Sequence, residues 1–205
     1  MDNTRYYSEV IHRHGMSAQG VHWNSQATQY KRFEVLLSMI ELNREDSIVD
    51  AGCGFGALYT YLQEQQHPFG HYIGLEVMEE MVVAASEKLI CDLRLCNILV
   101  DTLPKADYYL CSGGMNILSR DEAVIFIERC LEASAKGFIF NLLEGKDESL
   151  VYNYYQPREL EVLAETLGVT CSIKRGYLPK DFTVLFLKRD TPFNVKNETV
   201  LHGGL

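Results

Sequence analysis

Ser47-Ile48-Val49-Asp50-Ala51-Gly52-Cys53-Gly54-Phe55-Gly56 is the stretch that decides the fold of this chain. A short apolar strand runs straight into three closely spaced glycines, and a helix follows from about Ala57 to Gln65. Glycines let a backbone turn sharply at a strand end and let a ligand approach it closely. The helix start beyond them offers free N–H groups. Gly52-x-Gly54-x-x-Ala57 also satisfies the dinucleotide fingerprint, so the glycines by themselves do not choose a ligand. Asp50 narrows the choice. Two residues before the first glycine, its carboxylate repels a pyrophosphate and favours a cationic ligand.

The same strand-then-helix unit repeats outward from this point. Upstream, Ala27 to Leu42 has helical spacing, with Phe33, Leu36, Leu37 and Ile40 on one face. Downstream, His71–Leu75 reads as a strand, and Met78, Met81, Val82, Ala85 and Leu89 form a helix face. Leu93–Cys96 and Tyr108–Cys111 are the third and fourth strands. A helix over 120–133 is announced by Ser119 with Glu122 three residues on, a capping box. Gly137 to Leu143 is a fifth strand, and Pro157 opens a helix that Gly168 stops. Strands alternating with helices predict an α/β fold with a parallel sheet covered on both faces. Val169–Tyr177 and Phe182–Lys188 break the alternation, because only four residues separate them. A parallel crossover needs a dozen or more, so these two strands must form an antiparallel hairpin.

A length of 205 residues fits one domain, 1–205, large enough to bury a core without staples. Hydrophobic residues at 47% and charged residues at 23% exclude wholesale disorder. A formal net charge of −9 makes the chain a poor partner for phosphate backbones or anionic lipid, which disfavours nucleic acid. The N-terminus leads into no apolar signal segment, and no apolar run approaches the roughly 20 residues of a membrane span. The six cysteines show no CxxC spacing and mostly sit in apolar stretches, where they read as small buried hydrophobes of a cytoplasmic protein. His12-x-His14 and His22 lack a carboxylate or cysteine at ligand spacing, so no metal site is expected. The first 25 residues are aromatic yet aperiodic and are expected to form a lid over the site; residues 189–205 read as a C-terminal extension. The sequence carries no signal of oligomeric state.

Taken in order, His22-Trp23, Gln29 to Leu36, the glycine loop, Tyr72-Ile73-Gly74-Leu75-Glu76, Cys111-Ser112-Gly113 and Pro179-Lys180-Asp181-Phe182-Thr183 resemble the class I S-adenosylmethionine-dependent methyltransferases. The likeness is to a group of small bacterial members and covers nearly the whole chain. It implies a seven-stranded Rossmann-like sheet in the order 3-2-1-4-5-7-6, six strands parallel and one antiparallel, with S-adenosyl-L-methionine as cofactor. Asp50, Gly52, Cys53 and Gly54 then form the cofactor loop. Glu76, at the end of the second strand, offers two acceptor oxygens to the adjacent ribose hydroxyls. Its side chain should face the pocket and matter little to ligand-free stability.

The resemblance further implies that Val77 and Met78 flank the adenine, Met78 having core packing as its alternative. Asn97 would accept from the adenine amino group and the Ile98 N–H would serve the ring, with Asp101 as the competing assignment. Ser112 and Gly113 would line the methionine end, and Asn116 is either a contact or plain loop. Arg32 could clamp the methionine carboxylate or be a surface arginine, and Trp23 could wall the sulfonium or anchor the N-terminal segment. Tyr152 to Tyr155 stand where an acceptor would enter, or pack into the core. The Asp/Asn-Pro-Pro-Tyr/Phe signature of base-nitrogen and glutamine methylation is missing after the fourth strand, so a small-molecule acceptor is favoured. No catalytic residue is identified; His22 is a candidate base, although in-line alignment of acceptor, methyl and sulfur can supply most of the rate without one. Two rival readings stay open: a cofactor-binding partner protein without catalysis, and a nicotinamide-dependent oxidoreductase.

Overall fold

A computed structural model describes residues 25–146, 149 and 151–189. The expected lid and C-terminal extension, Trp23, His12, His14 and His22 lie outside the described residues. The elements run α1 (Gln26–Ser38), β1 (Ser47–Ala51), α2 (Ala57–Glu64), β2 (His71–Glu76), α3 (Glu79–Ser86), β3 (Asp92–Leu95), β4 (Ala106–Ser112), α4 (Arg120–Ala133), β5 (Ser134–Glu144), β6 (Tyr154–Tyr155), α5 (Pro157–Leu167), β7 (Thr170–Arg175) and β8 (Asp181–Leu187). One sheet holds them in the order β3-β2-β1-β4-β5-β8-β7. This is the expected arrangement with one addition, the two-residue β6, which pairs parallel with Leu143 and Glu144 at the end of β5.

The strands around β1 are parallel, and β8 alone runs against them, antiparallel to both β5 and β7. All seven residues of β8 are buried, since it is covered on both edges and both faces. The alternating side chains feed two cores. Val49, Leu75, Tyr109, Phe138, Phe140 and Phe186 face α4 and α5 on one side. Ile48, Tyr72, Leu110, Ile139 and Leu185 face α1 and α2 on the other. A strand buried on both faces needs apolar residues at every position, which is why these segments read as continuous apolar runs.

Helix ends follow local chemistry. The Ser25 hydroxyl accepts from Thr28 N–H at 3.2 Å, and the Ser119–Glu122 capping box is formed in both directions. Gly168 ends α5 with φ 70°, a left-handed turn that suits glycine. Helix α1 stops at Ser38, short of the Leu42 its spacing predicts, as the Ser38 hydroxyl bonds back to Val35 O at 2.7 Å. Strand β5 starts at Ser134, three residues before the expected Gly137, pairing from there with Ala106.

Candidate functional site

The strand order reverses between β1 and β4, and in open α/β sheets the crevice beyond the carboxyl ends at such a point is where ligands bind. The loop after β1 is anchored there by Gly52 N–H and Cys53 N–H, which both donate to Leu75 O at 2.8 and 3.0 Å. Gly52, Gly54 and Gly56 have φ of +82°, +55° and +75°. A β-carbon on Gly54 would come no closer than 4.0 Å to a neighbour, Met81 Sδ, so the space beside it is open. A β-carbon on Gly52 would lie 3.7 Å from Gly114 Cα, so the loop after β4 rests against the loop after β1.

Two buried carboxyl groups underlie this loop. Glu76 accepts from Gly54 N–H at 2.9 Å on Oε2, and from Val77 and Met78 N–H at 2.8 and 3.0 Å on Oε1. Burial pushes its carboxyl up, against those three N–H groups, which pull it down. Asp50 is 3% exposed and accepts from the Tyr72 hydroxyl at 2.7 Å on Oδ2. Burial first, and then the negative Glu76, push Asp50 up to about 7, with the Tyr72 hydrogen bond opposing. The Cys53 thiol is pushed well up by burial, so this loop cysteine is an inert hydrophobe.

The remaining expected residues are distributed around the crevice. Asn97 Oδ1 accepts from Leu99 N–H at 3.0 Å, while Asp101 accepts from Asn97 N–H at 2.7 Å, so the two competing assignments belong to a single turn. Val77 is 46% exposed beside the loop, whereas Met78 and Ile98 are buried. Gly113 N–H donates to Asn141 Oδ1 at 3.0 Å, and Asn141 Nδ2 donates to Ser112 Oγ at 3.3 Å. Asn141 was not among the expected residues. Its signal was a lone amide in the apolar run from Gly137 to Leu143, at a position that proves 1% exposed. Asn116 O accepts from Asn153 N–H at 2.7 Å, joining the loop after β4 to the segment before β6.

Arg32 is brought elsewhere. Its guanidinium grips Asp181 bidentately at 3.0 and 2.8 Å, at the start of β8. That lies three strands from β1, roughly 14 Å at ordinary strand spacing, and ties α1 to the sheet. Among the described residues no group of three or more His, Cys, Asp or Glu could hold a metal ion. No described helix is long and apolar enough to cross a membrane.

No family model matches the sequence. Over 113 residues, 50% of the chain, it is 36% identical to the "Putative methyltransferase Rv1506c" of Mycobacterium tuberculosis, and the match spans just under two thirds, 66%, of that curated relative's length. Among solved structures, the Synechocystis magnesium protoporphyrin IX methyltransferase with bound SAM superposes with a TM-score of 0.67, at 12% identity, over 92% of this chain and 98% of its own. The small RNA methyltransferase HEN1 superposes with a TM-score of 0.64, at 18% identity, over 82% of this chain and 26% of its own.

Proposed function

We propose that this class I S-adenosylmethionine-dependent methyltransferase transfers its methyl group to a small-molecule acceptor. The carrying observation is the pair of buried carboxyls, Asp50 and Glu76, under a glycine loop with open space at Gly54. That pair of acceptors suits a ribose and a cationic sulfur or ammonium group and opposes a pyrophosphate, which Coulomb repulsion would destabilise in so dry a setting. Glu76 would hold the ribose hydroxyls and Gly52 to Gly54 the adjoining backbone of the ligand. Asn97 and the Ile98 N–H would take the adenine edge, with Val77 over its face. Ser112 and Gly113, braced by Asn141, would border the methionine end. Arg32 is assigned to bracing α1 against β8 rather than to the methionine carboxylate.

When bound, S-adenosylmethionine supplies a methyl group on a positively charged sulfur. The chain's own part is to orient and to exclude water. The crossed contacts Gly52–Gly114 and Asn116–Asn153 hold the loops after β1, β4 and β5 together, which fixes where an acceptor atom can stand. Tyr152 to Tyr154, half-buried, border the acceptor side, whereas Tyr155 packs into the core. HEN1 shares the fold and is a small RNA methyltransferase, so the fold itself does not reject nucleic acid; the net charge of −9 and the missing Pro-Pro signature are what favour a small molecule. The six cysteines carry no disulfide, as suits the cytoplasm. Nothing in the site favours the nicotinamide reading or a partner protein without catalysis.

Calorimetric titration tests the cofactor: S-adenosylhomocysteine should bind in the nanomolar-to-micromolar range and NADH should not, and the reverse result would sink the proposal. Incubating the protein with methyl-labelled cofactor and a metabolite extract tests the acceptor. Label in a small molecule supports the reading, and label only in added RNA overturns the small-molecule assignment.

A further inference from the structure

The pair Asp50–Tyr72 has a feature that the cofactor reading leaves unused. Tyr72 sits on β2 two residues before Gly74, the residue paired with Asp50, so its hydroxyl reaches under the end of β1. It donates to one Asp50 oxygen, Oδ2, at 2.7 Å. The other oxygen, Oδ1, has no hydrogen-bond partner among the described residues. Among the described residues, the groups facing Asp50 are Tyr72 and Glu76 from β2, Cys53 from the glycine loop, Cys91 from the segment before β3 and Cys111 from β4. None of them is a cation. The thiols and the phenol are all pushed upward and stay neutral below pH 8, so two carboxyl groups share a dry site with no basic partner among the described residues. Like-charged carboxyls so placed do not both ionise readily.

We propose that Tyr72 is a positioning residue which fixes Asp50 so that its second oxygen meets the cationic end of the cofactor, and that cofactor binding expels a proton from Asp50. The inference rests on the cofactor reading above. With no ligand, Asp50 holds a proton over much of the neutral range; a cation beside Oδ1 stabilises the carboxylate, and the proton passes to solvent. Affinity for a cationic ligand therefore rises with pH. An Asp50 that titrates near 7 in the free protein and is held ionised by the ligand predicts about a tenfold gain between pH 6 and pH 8. Tyr72 sets where that gain falls. Without its hydroxyl the carboxylate loses its one donor, and the dependence moves to higher pH.

Three probes separate the possible cations: S-adenosylmethionine has a sulfonium and an ammonium, S-adenosylhomocysteine only the ammonium, and 5′-methylthioadenosine neither. All three engage Glu76 alike, so the last subtracts that residue's own titration. Calorimetry in buffers of different ionisation heat, from pH 6 to 8.5, should show proton release and rising affinity beyond that of 5′-methylthioadenosine. A rise shared with S-adenosylhomocysteine identifies the ammonium as the group met; a rise confined to S-adenosylmethionine identifies the sulfonium. Tyr72→Phe keeps the ring against Tyr59, 5.0 Å away, and should shift the dependence upward and lower affinity at pH 7 severalfold. Asp50→Asn should abolish the excess proton release; should that variant not fold, Tyr72→Phe carries the test alone. Equal pH dependence for all three probes, or an unmoved profile in Tyr72→Phe, overturns the inference. Absence of binding by every probe to the wild type would instead sink the cofactor reading on which it stands.

Discussion

Glu76 shows how much one side chain can carry. An ionised carboxylate has about four lone-pair sites, and three are taken by the N–H groups of Gly54, Val77 and Met78. The sequence alone suggested a side chain idle until the ligand arrives; the structure corrects this, since the same group also fastens the glycine loop to β2. Glu76→Ala should thus weaken S-adenosylhomocysteine binding about 10–150-fold and also cost roughly 1–3 kcal/mol in ligand-free stability. Urea denaturation alongside calorimetry reads both, and an unchanged denaturation midpoint would refute the fastening role. Gly54→Val separates the two effects differently. At φ +55° a branched residue is strained, by about 1–2 kcal/mol, and its side chain would project into open space that the ligand needs. The variant should remain folded and lose binding more than a hundredfold. Asp50 and Glu76 were legible in sequence because strand ends and glycines mark them. Tyr72 was legible only as strand, since its hydroxyl meets Asp50 through the β1–β2 register, which spacing does not encode.

Element by element, what sequence revealed were features with local causes. The capping box at Ser119, the Pro157 start and Gly168 stop of α5, and the hairpin forced by a short connection all depend on residues a few positions apart. What it missed depends on distant partners. Strand β6 exists because two residues find the protruding end of β5, and Arg32 meets Asp181 across 149 positions of sequence. Asn141 belongs to this class. Beyond the β4–β5 ladder, its side chain ties β5 to Ser112 at the end of β4 and to Gly113 just after it, and both halves of its amide are used. Asn141→Ala should cost about 1–3 kcal/mol, through the Gly113 N–H it leaves without a partner. Amide exchange at Gly113 to Asn116 should accelerate selectively; acceleration spread evenly over the sheet would indicate a general core defect instead.

The buried carboxyls also set how the whole molecule responds to pH. Asp50 titrates near 7 when folded and near 3.8 when unfolded, so between those values the folded chain holds a proton that the unfolded chain releases. Ligand-free stability therefore falls as pH rises from about 4 to 7, by at most on the order of 4 kcal/mol, and levels off above. Asp92, Asp107 and Glu122 act oppositely: their carboxyls are held below the ordinary range, and the stability they give is lost as pH falls through the acid region. Asp50→Asn removes the first contribution. Its ligand-free melting temperature should exceed that of the wild type at pH 8, with the gap closing toward pH 5; a constant gap would show that Asp50 does not titrate in that window.

Strand β8 carries a consequence for how the molecule is made. It lies between β5 and β7, yet its residues, Asp181–Leu187, are the last of the described strands to leave a ribosome. Until they arrive, one edge of β5 stays unpaired, and Phe138 and Phe140 lack the Phe186 ring that abuts Phe140 at 5.4 Å. A nascent chain ending before β8 therefore holds a sticky, eleven-residue strand open for the whole interval between the two segments. The antiparallel strand that distinguishes this sheet is also its closing stitch, and the protein's demand on chaperones should be concentrated in the interval between the synthesis of β5 and that of β8.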